Sequence, residues 1–186
     1  MRKDFGSKPW LYPQPVLIIG TYNDDGTADA MNAAWGGLYD ADKVVLCLSA
    51  GHRTTANIKA RGAFTLSFAD AAHVVPCDYV GLVSAKTEPN KMDKSGLHVT
   101  RSSRVDAPLI DELPVAMECR LLKVNEDGNI IGQIVNVTVD ESVLDSEGSI
   151  DFAKFRPISF EPAHDRYHVL GEAVGNAFQD GGALKG

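Results

Sequence analysis

Little in this chain points to metal or disulfide chemistry. Its 186 residues hold three cysteines, Cys47, Cys77 and Cys119, and no two have the spacing of a Cys-x-x-Cys metal or redox motif. Cys47 and Cys119 fall in apolar strand patterns, which predicts buried structural thiols. Positive charge is also scarce. Eighteen Lys and Arg against 25 Asp and Glu leave a net charge of −7. That balance excludes general nucleic-acid binding, which needs a basic surface to neutralise phosphates, but it leaves room for a local basic pocket. No run approaches the roughly 20 apolar residues that span a bilayer. The charged N-terminus through Pro9 has no following apolar stretch of signal-peptide form. A cytoplasmic protein with no membrane partner is the expectation. There is no Gly-x-Gly-x-x-Gly fingerprint, so a Rossmann-type domain is not expected. No repeat, linker or Ser/His/Asp arrangement stands out, and the catalytic residues stay unassigned. His164 and His168 are four apart, but Pro162 argues against a helical metal pair, and no metal is expected.

What the chain does have is an ordinary globular composition, 44% hydrophobic and 23% charged. This predicts one domain over residues 1–186 with a substantial core. Pro15 to Thr21 reads as a strand, Asn23-Asp-Asp-Gly26 as a turn, and Asp29 to Trp35 as the returning strand of a hairpin. Lys43 to Leu48 is apolar enough for a strand buried on both faces. Thr54 to Gly62 reads as a short helix, with Thr54 as cap and Gly62 in the left-handed closing position. Ala63 to Phe68 is the next strand. Pro76 to Ser84 reads as a helix, and Lys86 to Lys94 as a polar loop. Val115, Met117, Cys119 and Leu121 alternate with their neighbours. Asp127-Gly-Asn129 then turns the chain into a second alternating run from Ile131 to Val139, giving a long antiparallel hairpin. Gly171 to Phe178 has helical spacing, with Gly171 and Gly175 read as close-packing positions of a terminal helix. Six or more strands joined by tight turns, with few helices, predict a closed or partly open antiparallel barrel.

Two neighbouring segments carry the chemistry. Met31 to Gly37 is rich in small residues, so a flat ligand could lie against its backbone, with Trp35 packing on the ring. Ser49 to Ile58 begins a helix whose free N–H groups suit an anion. There Arg53 adds a planar fork and Thr54 and Thr55 add hydroxyl donors. Taken alone, a capping Thr54 and a solvent-facing Arg53 are the commoner reading, while a core Trp35 is as ordinary as one that packs on a ring.

The order of these motifs resembles the flavin reductase-like family of FMN-binding split barrels, which includes flavoredoxins. The carrying residues are Pro15 to Ile18, Asp25-Gly26, Met31 to Trp35, Arg53-Thr54, Asn57-Ile58 and Gly62 to Phe64. Asp78 to Gly81 with Ser84, Lys91-Met92, Gly96-Leu97, Tyr167, Leu170 to Glu172 and Ala177-Phe178 continue the pattern. The resemblance spans about residues 12 to 182 and implies a mainly β fold, an antiparallel split β-barrel with a few short flanking α-helices. It also implies a homodimer with FMN held near the subunit interface. Carried over by position, Asn32, Ala33, Ala34 and Trp35 would lie near the ring and ribityl chain. Ser49, His52, Arg53, Thr54 and Thr55 would hold the phosphate end. Lys91 would reach the phosphate or ribityl region, and Phe160 would flank the ring. The implied activity is oxidoreductase, with electrons from NAD(P)H or a protein electron donor passing through flavin. An electron carrier without nicotinamide activity, or a non-catalytic flavin-binding module, is the alternative. One departure stands out: Asp29 occupies a position where the family often has Asn. Either it faces solvent or ribityl hydroxyls donate to it.

Overall fold

The computed structural model describes residues 1–185. The chain runs through β1 (Gln14–Pro15), β2 (Leu17–Tyr22), β3 (Ala28–Ala33), β4 (Gly36–Asp40), β5 (Lys43–Leu46), α1 (Arg53–Arg61), β6 (Ala63–Phe68), α2 (Val74–Leu82) and α3 (Lys91–Ser95). It continues through β7 (Val99–Arg101), β8 (Pro108–Ile110), β9 (Val115–Val124), β10 (Ile130–Val139), α4 (Phe152–Phe155), β11 (Ile158–Glu161) and β12 (Arg166–Val169). Seven strands make one antiparallel sheet in the order β3-β2-β6-β9-β10-β5-β4. This sheet curls into a half-barrel, and β1-β11-β12 form a smaller sheet beside it. The fold is mainly β, an antiparallel split barrel with short flanking helices.

The β2–β3 hairpin forms in the expected place, with Leu17 opposite Ala33 and Tyr22 opposite Ala28. Gly26 supplies the positive φ of its turn, at 85°. The β9–β10 hairpin pairs Val115 with Val139 and Val124 with Ile130. The half-barrel core joins Leu17, Ile19, Val44, Leu46, Ile58, Phe64, Cys119 and Ile130. A second core, of Val16, Ile18, Ala30, Cys77, Val80 and Ile158, seats α2 on the outer face of β2 and β3. Removing a residue such as Phe64 from so close-packed an interior would cost about 3–5 kcal/mol.

Four expectations are corrected. Lys43 to Leu48 is not buried on both faces: β5 ends at Leu46, with Val44 and Leu46 inward and Lys43 and Val45 half-covered. Cys47 lies past the last paired residue and is exposed. Lys91 to Ser95 is a short helix rather than loop. Gly171 to Phe178 is not a helix, because nothing packs against it; Val174 and Phe178 are fully exposed, and a helix this short needs a buried face to persist.

Burial pushes the Cys77 and Cys119 thiols up to about 12. A Cys47→Ser variant is therefore expected to show no reaction with an aromatic disulfide reagent at pH 8 while folded, and two thiols once unfolded. A fast-reacting thiol in the folded variant would contradict this packing.

Candidate functional site

A cleft of about 220 Å³ opens where the start of α1, the end of α2 and the edge strand β3 meet. Its walls bring together Asp29, His52, Arg53, Thr54, Ser84 and Lys91. Four of these, His52, Arg53, Thr54 and Lys91, are residues the sequence pointed to, although Lys91 lies 38 positions beyond Arg53.

Local structure explains how they meet. His52, in extended conformation, is the residue before α1, and its side chain makes no capping bond. Thr54 is therefore inside the helix rather than its cap. The Thr55 hydroxyl is turned away from a ligand role and donates to the Ser49 carbonyl at 2.8 Å, which fixes the loop leading into the helix. The amides of Arg53, Thr54 and Thr55 form the first helical turn and have no partner within the helix. Gly62 closes α1 with φ of 66°, and no side chain at that position would fit the conformation without strain.

Arg53 is 31% exposed and does not wander into solvent. Its Nε donates to Asn23 Oδ1 at 3.0 Å, and Nη2 lies 3.4 Å from Asp24 Oδ2. The β2–β3 turn thus holds the guanidinium along the cleft and leaves Nη1 unbound. On the opposite wall, Lys86 donates to the Gly51 carbonyl at 2.6 Å and ties the segment after α2 to the segment before α1.

The cleft floor is the unusual part. Asp29 is 1% exposed and Lys91 is 3% exposed, and Lys91 Nζ lies 2.9 Å from Asp29 Oδ1. The approach is off the hydrogen-bonding direction, so neither carboxylate oxygen has a hydrogen-bond partner among the described residues. Lys91 Nζ donates instead to the Val83 carbonyl at 3.2 Å. Asp29 does not face solvent, and its two orphaned oxygens are acceptors without donors. Buried polar groups of this kind are expensive unless something donates to them.

The remaining expected residues take other places. Asn32 and Ala33 share β3 with Asp29, and the Asn32 amide donates to the Cys77 carbonyl at 3.0 Å. This bond holds α2 against the strand. Gly81 makes the approach possible, since a Cβ there would come 2.9 Å from the Asn32 Cβ. Ala34 and Trp35 lie where the strand breaks before β4. Trp35 is 58% exposed and lines a separate, shallow depression with Trp10, Leu11, Gly37 and Cys47. Phe160 is half-buried and packs on Tyr167, centroids 6.1 Å apart. The Tyr167 hydroxyl in turn donates to Asp78 Oδ1 at 2.7 Å. Burial first, and the Asp78 carboxylate second, push that phenol up to about 12. His164 and His168 stand apart, His164 paired with Glu161 at 2.9 Å, and no metal-ligating cluster occurs among the described residues.

Sequence reasoning placed Met31 in the ligand-bearing strand but did not foresee Val80 to Ala85 as cleft walls, although Gly81 and Ser84 already carried the family pattern. Chemically, the cleft offers a guanidinium and free helix amides to an anion, above a buried ammonium already paired with Asp29. Beside them, Asp29 offers an acceptor to hydroxyl donors.

Comparison with known proteins identifies the fold and the family. Among solved structures, flavoredoxin of Desulfovibrio vulgaris (Miyazaki F) is 36% identical, superposes with a TM-score of 0.93, and is matched over 97% of this chain and 100% of its own. Flavoredoxin from Methanosarcina acetivorans is 27% identical with a TM-score of 0.87, covering 99% of both chains. The FMN-binding domain of a flavin reductases-like enzyme from Shewanella baltica OS155, at 20% identity and TM-score 0.77 over 88% of this chain and 89% of its own, shares the fold. Among the described residues no helix is long and apolar enough to cross a membrane. The flavin reductase like domain model matches residues 10–170. With most of its length inside that match, the chain belongs to the flavin reductase-like domain family.

Proposed function

We propose that this protein binds FMN in the cleft between α1, α2 and β3 and works as an FMN-dependent oxidoreductase. The observation that carries the reading is the pairing of an anion seat with an orphaned buried acceptor. Arg53, Thr54 and the first-turn amides of α1 suit a phosphate. The Asp29 oxygens, which accept no hydrogen bond among the described residues although Lys91 pairs with one of them, suit the hydroxyls of the adjoining ribityl chain. A phosphorylated polyol supplies both at once, and the flavin reductase-like structures matched above include FMN-binding proteins.

In this reading Arg53 donates from its remaining Nη1 to the phosphate, and Lys91 balances the Asp29 charge at the cleft floor. Asn32, Ala33 and Ala34 follow the cleft-wall residue Met31 along the chain and would flank the ring, whereas Trp35, in its separate depression, stands outside this cleft. The flavin, when bound, supplies the hydride or electron transfer, while the protein binds, orients and sets the local charge. Lys91 is not a free cation, because Asp29 cancels it, so the cleft floor contributes little net positive charge toward reduced flavin.

The electron donor separates two versions. The first has NAD(P)H reduce the bound flavin. The second is an electron carrier served by a protein donor, and the 36% identity with a flavoredoxin over its whole length favours giving it equal weight. Anaerobic mixing of FMN-loaded protein with NADH or NADPH tests them. Bleaching of the flavin within seconds supports the reductase. An unchanged spectrum that is bleached by chemical reductant supports the carrier. A chain that takes up no flavin rejects both.

We also propose a homodimer. Strand β4 is an edge of the seven-stranded sheet, and it exposes Leu38 and Tyr39 next to Trp35. An edge strand with bulky apolar side chains favours a covering partner. Light scattering should give twice the chain mass at micromolar concentration, and a monomer would remove this part.

A further inference from the structure

On the other side of α1 lies a second concavity, of about 430 Å³, at the level of the α1 C-terminus and the loop between β7 and β8. Four arginines line it: Arg61, Arg101, Arg104 and Arg120. The chain has eight arginines in all and an excess of acidic residues, so half of its guanidinium groups gather in one depression of an acidic protein.

Internal partners account for only part of this charge. Asp106 is the acid in the lining: its Oδ1 lies 2.8 Å from Arg101 Nη2 and its Oδ2 lies 3.4 Å from Arg61 Nη1. Arg61 is further held by the Asn23 and Asp24 carbonyls. Among the described residues Arg120 reaches only the Arg104 carbonyl, at 3.4 Å. The Arg104 guanidinium has no hydrogen bond or ion pair among the described residues. Glu118 lies beneath the loop, 2% exposed, and faces inward. It accepts from the Ser102 hydroxyl and from Asn136. The nearby Asp24 carboxylate is turned to Arg53. Four cations against Asp106 and the covered Glu118 leave a positive site.

The loop that carries the arginines is already ordered. Ser102 Oγ donates to Glu118 and accepts the Arg104 and Val105 amides at 2.9 and 3.0 Å. Val105 and Ala107 pack on Ala63. A preorganised loop loses little entropy when a ligand arrives. Guanidinium forks match the oxygens of a phosphate group two at a time, and a multiply charged oxyanion relieves the repulsion among them.

We infer that this depression is a second anion site, separate from the flavin cleft, that takes a phosphoanhydride: pyrophosphate itself or the diphosphate of a nucleotide. Arg104 and Arg120 are the free donors, and Arg61 and Arg101 are the fixed walls.

The test is calorimetric titration of FMN-saturated protein, at constant ionic strength in chloride, with pyrophosphate, inorganic phosphate and ADP. Pyrophosphate is expected to bind saturably and at least tenfold more tightly than phosphate. An Arg104→Ser/Arg120→Ser variant should lose that binding at least tenfold while its FMN affinity is unchanged. Both side chains are exposed, so folding is not at stake, and thermal denaturation of the variant checks this. ADP binding more tightly than pyrophosphate assigns the site to a nucleotide, and equal affinity assigns it to the inorganic ion. Absence of saturable binding, or binding unaltered in the double variant, overturns the proposal.

Discussion

Replacing Lys91 by Met in flavin-free protein is expected to lower the unfolding free energy by about 3–5 kcal/mol, the usual cost of stranding a buried charge. Asp29 is almost wholly buried, and Lys91 at 2.9 Å is its one ion-pair partner among the described residues. Neither carboxylate oxygen has a hydrogen bond to fall back on. Met fills the same space as the lysine stem, so packing loss is small and the charge dominates. The second half of the prediction is the rescue. Asp29→Asn in the same chain removes the stranded charge and should return most of the loss, because removing both ions of a buried pair is often near neutral. Urea denaturation of the single and double variants measures both, with the slope unchanged and only the midpoint moving. A loss below about 1 kcal/mol, or no recovery in the double variant, would mean that the pair is solvated and that Asp29 is not an acceptor in wait.

The second large effect concerns affinity. Arg53→Ala should weaken FMN binding by roughly 10- to 150-fold, which corresponds to about 1.5–3 kcal/mol for hydrogen bonds to a charged group. Stability should change little, because the Asp24 contact is exposed and Asn23 Oδ1, on losing the part-buried Arg53 bond, still accepts from Asn57 Nδ2 at 3.0 Å. The control lies in the ligand. Riboflavin lacks the phosphate, so its affinity should be nearly the same for the wild-type and variant chains. Equal losses for FMN and riboflavin would place Arg53 against the ring or the ribityl chain, and no loss for either would place it outside the site. Fluorescence quenching of each flavin measures all four constants.

Local pattern made the hairpins legible. The alternation from Val115 to Val139 and the Asp127-Gly128 turn need no tertiary information, and β9 and β10 pair as their period of two demands. The end of α1 was legible for the same reason, with Gly62 in the left-handed closing position, while its start was not: the cap is His52, two residues before Thr54. What sequence could not supply was the company each residue keeps. In Lys43 to Leu48 every residue after the first is apolar, so only the pairing of β5 between β4 and β10 decides that Val45 is less covered than Val44. Asp29 sits in a strand at a position whose partner, Lys91, arrives 62 residues later on a helix of five residues. Polarity in that stretch masked the helix, and nothing near Asp29 announced that its charge would be buried. Trp35 and Arg53 lie in the two neighbouring segments read as one ligand site, yet the strand break after Ala33 sends Trp35 toward the β4 edge and leaves Arg53 on the cleft. Gly171 to Phe178 shows the reverse case, where the spacing of a helix exists without a surface to bury it.

The flavin site is the claim from which the rest follows, and titration of flavin-free protein with FMN, riboflavin and lumiflavin tests it most directly. Saturable binding of one FMN per chain is expected, with riboflavin at least tenfold weaker and lumiflavin, which lacks the polyol, weaker again. The same affinity for all three, or none for FMN, would contradict a cleft built from Arg53, Thr54, Lys91 and Asp29 around a phosphorylated polyol.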